Sequence, residues 1–255
     1  MTKTNKNEAI MSKLNINTLC LTFSVLCLSL AVLMVFGASL NLWEPIQGFS
    51  ASRQYNDSLG YITLVLVILT FIINGYNQQK VFTVKAITAL VLGIAILTPT
   101  IINTLRVPVR YPPIHDISTD TTTPPSFVFL DDTRAGAKNS LHYAGQEIAD
   151  QQHKAFPNVK PLLTSQAQDK AYQKSLQLAD KMGWEIVYQD PEQQFFEATA
   201  YTPFFHFADD VIVRVSEQSN GSKIDIRSVS RIGRGDRGVN AQRINHFIND
   251  FKQTR

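Results

Sequence analysis

The stretch DDVIVRVSEQSNGSKIDIRSVS, Asp209–Ser230, decides the fold of the C-terminal half of the chain. Val213 and Val215 alternate with polar residues before its centre, and Ile224 and Ile226 do so after it, which is the period of half-buried strands. Asn220-Gly221 at the centre favours a two-residue type I′ turn, so the stretch reads as a hairpin of strands Asp210–Glu217 and Lys223–Ser230. Such a turn sets Ser219 opposite Ser222 and, counting back, Arg214 opposite Arg227. Two guanidinium groups facing each other across a ladder repel. Arg231 lies further along the same face, so a negative group is expected among the three. Glu197, Asp209 or Asp210 supplies it in one reading, and an anionic ligand in the other. Ser228 and Ser230 end the apolar row on the opposite face.

Working outward, Trp184–Gln189 and Gln194–Tyr201 read as two further strands. Before them, Ser165–Met182 has a helical period, with Ser165 and Gln168 placed as a capping box and Gly183 suited to the end. After the hairpin, Ile244, Phe247, Ile248 and Phe251 fall on one helical face. Residues 111–160 are irregular, rich in Pro and Thr at Asp116–Pro125, with a short helix expected around Leu141–Gln152. The order predicts an α+β domain over residues 106–255, an antiparallel sheet of about four strands covered by helices.

The N-terminal half is different in kind. Ile16–Leu42, Leu59–Tyr76 and Val81–Leu105 are apolar throughout, apart from Lys85, and each is long enough to cross a hydrocarbon core of about 30 Å as a helix. They predict a three-helix transmembrane anchor over 16–105, behind a tail of residues 1–15. Lys3, Lys6 and Lys13 in that tail and Lys80 in the second loop place both on the cytoplasmic side, since the loop Trp43–Ser58 carries only Arg53 against Glu44 and Asp57. An odd number of spans then puts the C-terminal domain outside, at the periplasmic face of a bacterial inner membrane. A cleaved signal peptide fits the first span poorly, because the apolar run is too long and no small-x-small site follows. Cys20 and Cys27 both fall within that span and read as packing residues, and the outer domain has no cysteine for a disulfide, a nucleophile or a thiolate metal site. Arg106, Pro108, Arg110 and Tyr111-Pro112-Pro113 mark the exit from the membrane, with no long linker.

From Tyr111 to Val211 there are 14 acidic and 7 basic residues, and from Ile212 to Arg255 there are 4 acidic and 9 basic, a net of −7 against +5. This balance argues against nucleic acid as a partner. The basic portion contains Arg227-Ser-Val-Ser-Arg-Ile-Gly-Arg-Gly-Asp-Arg-Gly-Val-Asn240, followed by Arg243. Gly233, Gly235 and Gly238 permit tight backbone, and the segment opens onto a helix N-terminus, a combination suited to phosphate, sulfate or carboxylate. Equally, Asp236 or Asn240 caps that helix while the arginines pair with acids. It is not a Walker loop, which ends in Gly-Lys-Ser/Thr.

Four blocks carry a family resemblance: Ile114-His-Asp-Ile-Ser-Thr-Asp120, Glu197-Ala198-Thr199, Asp209-Asp210-Val211-Ile212-Val213-Arg214-Val215, and Arg227–Arg243. In this order they resemble the domain of unknown function DUF1499, over nearly all of residues 111–250. Several bacterial members look similar in carrying an N-terminal membrane anchor. The resemblance implies no reaction, cofactor or catalytic residue. It does imply that the Arg/Asp/Gly loop and the His-Asp segment share one site.

Two readings of the outer domain follow, and a third lies in the anchor. The first is a membrane-anchored binding or accessory module for an anionic lipid headgroup or envelope metabolite, using Arg214, Arg227, Arg231, Gly233, Asp236, Asn240 and Arg243. The second is a hydrolase using His115 with Asp116 or Asp120. Ser228 and Ser230 lack the strand-to-helix elbow of a serine hydrolase, and the five histidines show no metal-ligand spacing. The third is a scaffold whose spans bind a membrane partner protein. None of the three implies a cofactor.

Overall fold

The computed structural model describes residues 15–253, so the tail lysines Lys3, Lys6 and Lys13 lie outside the described residues. The chain divides into two compact units, one running to Pro108 and taking in Phe204–His206, the other formed by Val109–Pro203 and the residues from Phe207 onward.

Among the described residues the first unit holds three helices long and apolar enough to cross a membrane: α1 (Ile16–Phe36), α2 (Pro45–Tyr76) and α3 (Val84–Leu105). Their ends differ from the apolar stretches. Helix α1 stops at Phe36, and the segment read as a loop from Trp43 is helical from Pro45, because Glu44 and Gln47 form a capping box with proline at the first helical position. Helix α2 therefore has 32 residues, about 48 Å at 1.5 Å each, and outruns a hydrocarbon core of about 30 Å. Thr83 starts α3 by accepting a bond from the Ala86 amide at 3.2 Å.

Small residues set the packing distance within this unit. A Cβ on Gly60 would lie 2.4 Å from Leu97 Cγ, and one on Gly93 would lie 2.8 Å from Leu64 Cδ2. Lipid supplies no hydrophobic drive between helices, so close backbone approach and buried polar bonds hold such bundles together. Asn17 and Asn74 exchange side-chain amide bonds of 3.3 and 3.0 Å, and Thr83 Oγ1 donates to Asn17 Oδ1 at 2.7 Å. Cys20 and Cys27 are buried and unbridged along the same packed face as Ser24 and Ala31.

The second unit is built on a six-stranded antiparallel sheet: β1 (Asp116–Ser118), β2 (Leu162–Thr164), β3 (Glu185–Asp190), β4 (Phe195–Tyr201), β5 (Ala208–Gln218) and β6 (Gly221–Ser230). The order is β1-β6-β5-β4-β3, with β2 also paired to β6. The four expected strands are β3 to β6, while β1 and β2 are three-residue additions that no periodicity marks. Helices α4 (Gln146–Ala155), α5 (Gln168–Lys181) and α6 (Val239–Gln253) complete the α+β domain. One core joins the helices to the sheet: Tyr172 and Leu178 of α5 and Ile244, Phe247 and Phe251 of α6 cluster with Phe196, Val211, Val213, Ile224 and Ile226. Trp184 stacks on Phe247 with ring centroids 5.4 Å apart.

Two local expectations are corrected. Ser165 and Gln168 do not form a capping box: α5 begins at Gln168, and that side chain donates instead to Val215 O at 2.8 Å. The hairpin turns one residue earlier than expected, on Ser219-Asn220, so Gln218 faces Gly221 and Arg214 faces Asp225. Arg227 faces Ile212, and the expected pair of opposed arginines does not exist. The physical reason lies at Gly221, whose φ is +129° and whose added Cβ would sit 2.0 Å from Thr164 O. Glycine stands here because β2 crosses close to the hairpin, rather than as the second residue of a type I′ turn.

Candidate functional site

Shifting the turn by one residue changes partners by two and keeps each side chain on its face. Arg214, Arg227, Asp210, Asp225 and, on β4, Glu197 and Thr199 thus share the face opposite the helix-covered core. That face is buried: Glu197, Asp210 and Asp225 are fully enclosed, and Arg227 is 1% exposed. It is closed by an irregular strap of residues 119–143, which brings its own polar groups to the charged side chains.

Arg227 is the centre of this layer. Its Nε and Nη2 donate to the two carboxylate oxygens of Asp116 at 2.9 and 2.7 Å, Nη2 donates to Leu141 O at 2.7 Å, and Nη1 donates to Pro125 O at 3.1 Å. The Phe127 and Tyr143 rings flank the guanidinium at 5.5 and 5.3 Å. Asp210 accepts from Arg231 at 2.8 Å and from Arg134, while Arg231 also donates to Thr199 Oγ1 at 2.9 Å. Glu197 accepts three strap amides, from Val128, Phe129 and Leu130, at 2.5, 3.0 and 2.7 Å. Lys223 bridges Asp120 at 2.7 Å and Asp225 at 3.1 Å. Burial pushes the Asp225 carboxyl above its ordinary range, against the opposing bond and charge of Lys223. Arg214, more exposed, reaches Thr123 O at 3.2 Å and Asp225 at 3.8 Å.

The glycine-bearing loop is equally organised. Asp236 accepts from the Gly238 and Asn240 amides at 2.9 and 2.6 Å, so its carboxylate caps α6 and takes the place an external anion would want. Burial raises its pKa, and these two amide bonds oppose the rise. Asn240 is fully buried: its amide group donates to His115 O at 3.0 Å and Ser230 Oγ at 2.9 Å, and its Oδ1 accepts from Ser228 at 2.6 Å. Arg243 donates to Asp209 and to Ser228 Oγ. The Asp236 amide donates to Ile114 O at 3.1 Å, and a Cβ on Gly235 would lie 3.1 Å from Pro113 Cα, so the loop lies against the 111–115 segment.

The His-Asp segment and the Arg/Asp/Gly loop are therefore brought together, chiefly through Asn240 and the Arg227–Asp116 pair. His115, Asp116 and Asp120 turn to different partners, which are Arg234 O at 3.4 Å, Arg227 and Lys223 respectively. Among the described residues no group of three His, Cys, Asp or Glu side chains is placed to hold a metal ion. Of the named arginines, Arg227, Arg231 and Arg243 are each spent on a buried aspartate. Arg234 and Arg237, on the same loop, are exposed, and their side chains make no hydrogen bond or ion pair among the described residues. Neither stands among the site residues read from the sequence, and nor does Arg134, which reaches Asp210 across 76 positions.

Fold and site define an α+β domain, its charged sheet face closed by a strap, which follows in the sequence three described helices long and apolar enough to cross a membrane. The chain belongs to the family described as protein of unknown function (DUF1499), whose profile matches residues 116–251. That span runs from the start of β1 into the last turn of α6 and holds the whole charged layer. A search of curated proteins found no match.

Proposed function

We propose that the protein is a membrane-anchored binding module whose outer domain engages an anionic group, such as a phosphate-bearing lipid headgroup, through Arg234 and Arg237. The observation that carries this reading is the contrast between the two sets of arginines. The deep ones are neutralised by aspartates, while these two stand exposed and, among the described residues, unpaired on a loop fixed by Asp236 and Asn240. A fixed backbone leaves only the side chain to be ordered on binding, and an unpaired guanidinium keeps its charge for a partner. The loop rests on Pro113, eight positions after the end of α3 at Leu105, and Arg106 and Arg110 fall in that short connection. A positive charge near an anionic surface contributes about 1 kcal/mol.

The distribution of lysine and arginine supports a cytoplasmic N-terminus and a domain on the outer face of a bacterial inner membrane. An alkaline-phosphatase-type reporter fused after Arg255 is then active, and a silent, well-expressed fusion contradicts that orientation. Hydrogen exchange of the intact protein in nanodiscs tests the binding reading. Amides of residues 233–238 gain protection when phosphatidylglycerol replaces part of the phosphatidylcholine. Identical exchange in both lipids counts against it.

A further inference from the structure

The strap forms a second feature that shares no residue with the Gly233–Arg237 turn. A cleft of about 490 Å3 is walled by Phe127, Leu130, Leu141 and Tyr143, with Arg227 at its base and Asp131 and Asp132 among its lining residues. Two buried donors there remain uncommitted among the described residues. A guanidinium carries five N–H groups; Arg227 commits Nε, both Nη2 hydrogens and one on Nη1, which leaves a single Nη1 hydrogen. The Tyr143 hydroxyl is buried and has no hydrogen-bond partner among the described residues. Burial first, then the nearby Asp116 carboxylate, pushes the Tyr143 pKa up to about 12, so the phenol stays a donor at physiological pH.

A buried hydroxyl without a partner is costly, and a native domain keeps few of them. The surrounding groups specify what satisfies it. Apolar and aromatic walls accept a hydrocarbon body, and the open donors require an acceptor oxygen. The charge on Arg227 is already matched by Asp116. Asp131 is held below the usual carboxylate range by the Thr133 hydroxyl and amide, and Asp132 by the Leu141 amide and Ser140 hydroxyl, so both stay ionised and repel an anion.

We infer that this cleft binds a small neutral or cationic molecule with an aromatic or aliphatic body, whose carbonyl or hydroxyl oxygen accepts from Tyr143 and Arg227. The site differs in ligand charge from the anion contact at Arg234 and Arg237 and does not depend on it.

Benzamide and benzoate separate the claims, since they share a ring and an acceptor oxygen and differ in charge. Ligand-observed saturation-transfer spectra are recorded on the full chain in phosphatidylcholine nanodiscs, with empty nanodiscs as reference. Benzamide binds, benzoate binds at least about fivefold more weakly, and Tyr143→Phe weakens benzamide about fivefold, the effect of one hydrogen bond. Asp131→Asn, at an exposed position, narrows the gap between the two probes. No benzamide signal, equal binding of benzoate, or unchanged benzamide binding by Tyr143→Phe overturns the inference. The ligand-free melting temperature of Tyr143→Phe matches or exceeds that of the parent, because the change removes an unpartnered hydroxyl. A fall of several degrees shows instead that the hydroxyl serves the fold, and it too overturns the assignment.

Discussion

Replacing Arg227 by Met keeps most of the aliphatic volume and removes the guanidinium. Three losses follow at once: Asp116, only 6% exposed, is left as a buried carboxylate without its cation, and the carbonyls of Pro125 and Leu141 lose their donor. Breaking a buried ion pair from one side costs about 3–5 kcal/mol, because the remaining charge is stranded. At a urea dependence of about 2 kcal/mol per molar, ordinary for a domain of this size, the unfolding midpoint falls by roughly 2 M. Trp184 stacks on Phe247 within the domain core and reports its unfolding, and Trp43→Phe removes the other tryptophan. The double variant Asp116→Leu/Arg227→Met regains only part of the loss, since neither new side chain serves the two carbonyls. A midpoint for Arg227→Met within about 0.5 M of the parent refutes the view that Arg227 ties β1, through Asp116, and the strap, through Pro125 and Leu141, to β6.

Three further outcomes follow from other parts of the structure. Gly221→Ala destabilises the domain by about 2 kcal/mol or more in the same urea assay, since φ of +129° and an approach of 2.0 Å to Thr164 O both exclude a side chain. Asp225 has a pKa raised above its ordinary 3.8, so the stability linked to its proton is fully present below 3.8 and is lost as pH rises through the raised value. Asp225→Asn accordingly unfolds at higher urea than the parent at pH 7, and this advantage shrinks towards zero as pH falls below 3.8; an advantage that grows on acidification contradicts the assignment. Arg234→Ala/Arg237→Ala leaves the urea midpoint within about 0.3 M of the parent, because neither guanidinium holds the fold.

Legibility followed the range of the interactions involved. Amphipathic periods place α5, α6 and four strands because each is a repeat within one segment, and the apolar stretches mark α1 to α3 for the same reason. The helix in front of Leu59 leaves no periodic trace, because its cap, Glu44 with Gln47, precedes a polar first half with no apolar repeat. The hairpin is legible in the sequence and its register is not: Asn220-Gly221 suits a type I′ turn locally, while the approach of β2 from Thr164 fixes where glycine must sit. The charge problem read from the hairpin had the right face and the wrong pair. An acid was indeed needed beside Arg227, and it comes from Asp116, 111 positions away, while Arg214 meets Asp225 directly across the ladder. Glu197, expected as a counter-ion for the arginines, instead gathers three strap amides. Burial of the whole polar face was illegible because the strap that covers it has no periodic pattern.

The central claim is that Arg234 and Arg237 hold an anionic group for a membrane-anchored module. Native mass spectrometry of the intact protein, released from nanodiscs of equal phosphatidylglycerol and phosphatidylcholine, measures it most directly. The account predicts retained phosphatidylglycerol in preference to phosphatidylcholine. The preference drops roughly 30-fold in Arg234→Ala/Arg237→Ala, two cations at about 1 kcal/mol each. Equal retention of the two lipids, or a preference that survives loss of both arginines, contradicts it.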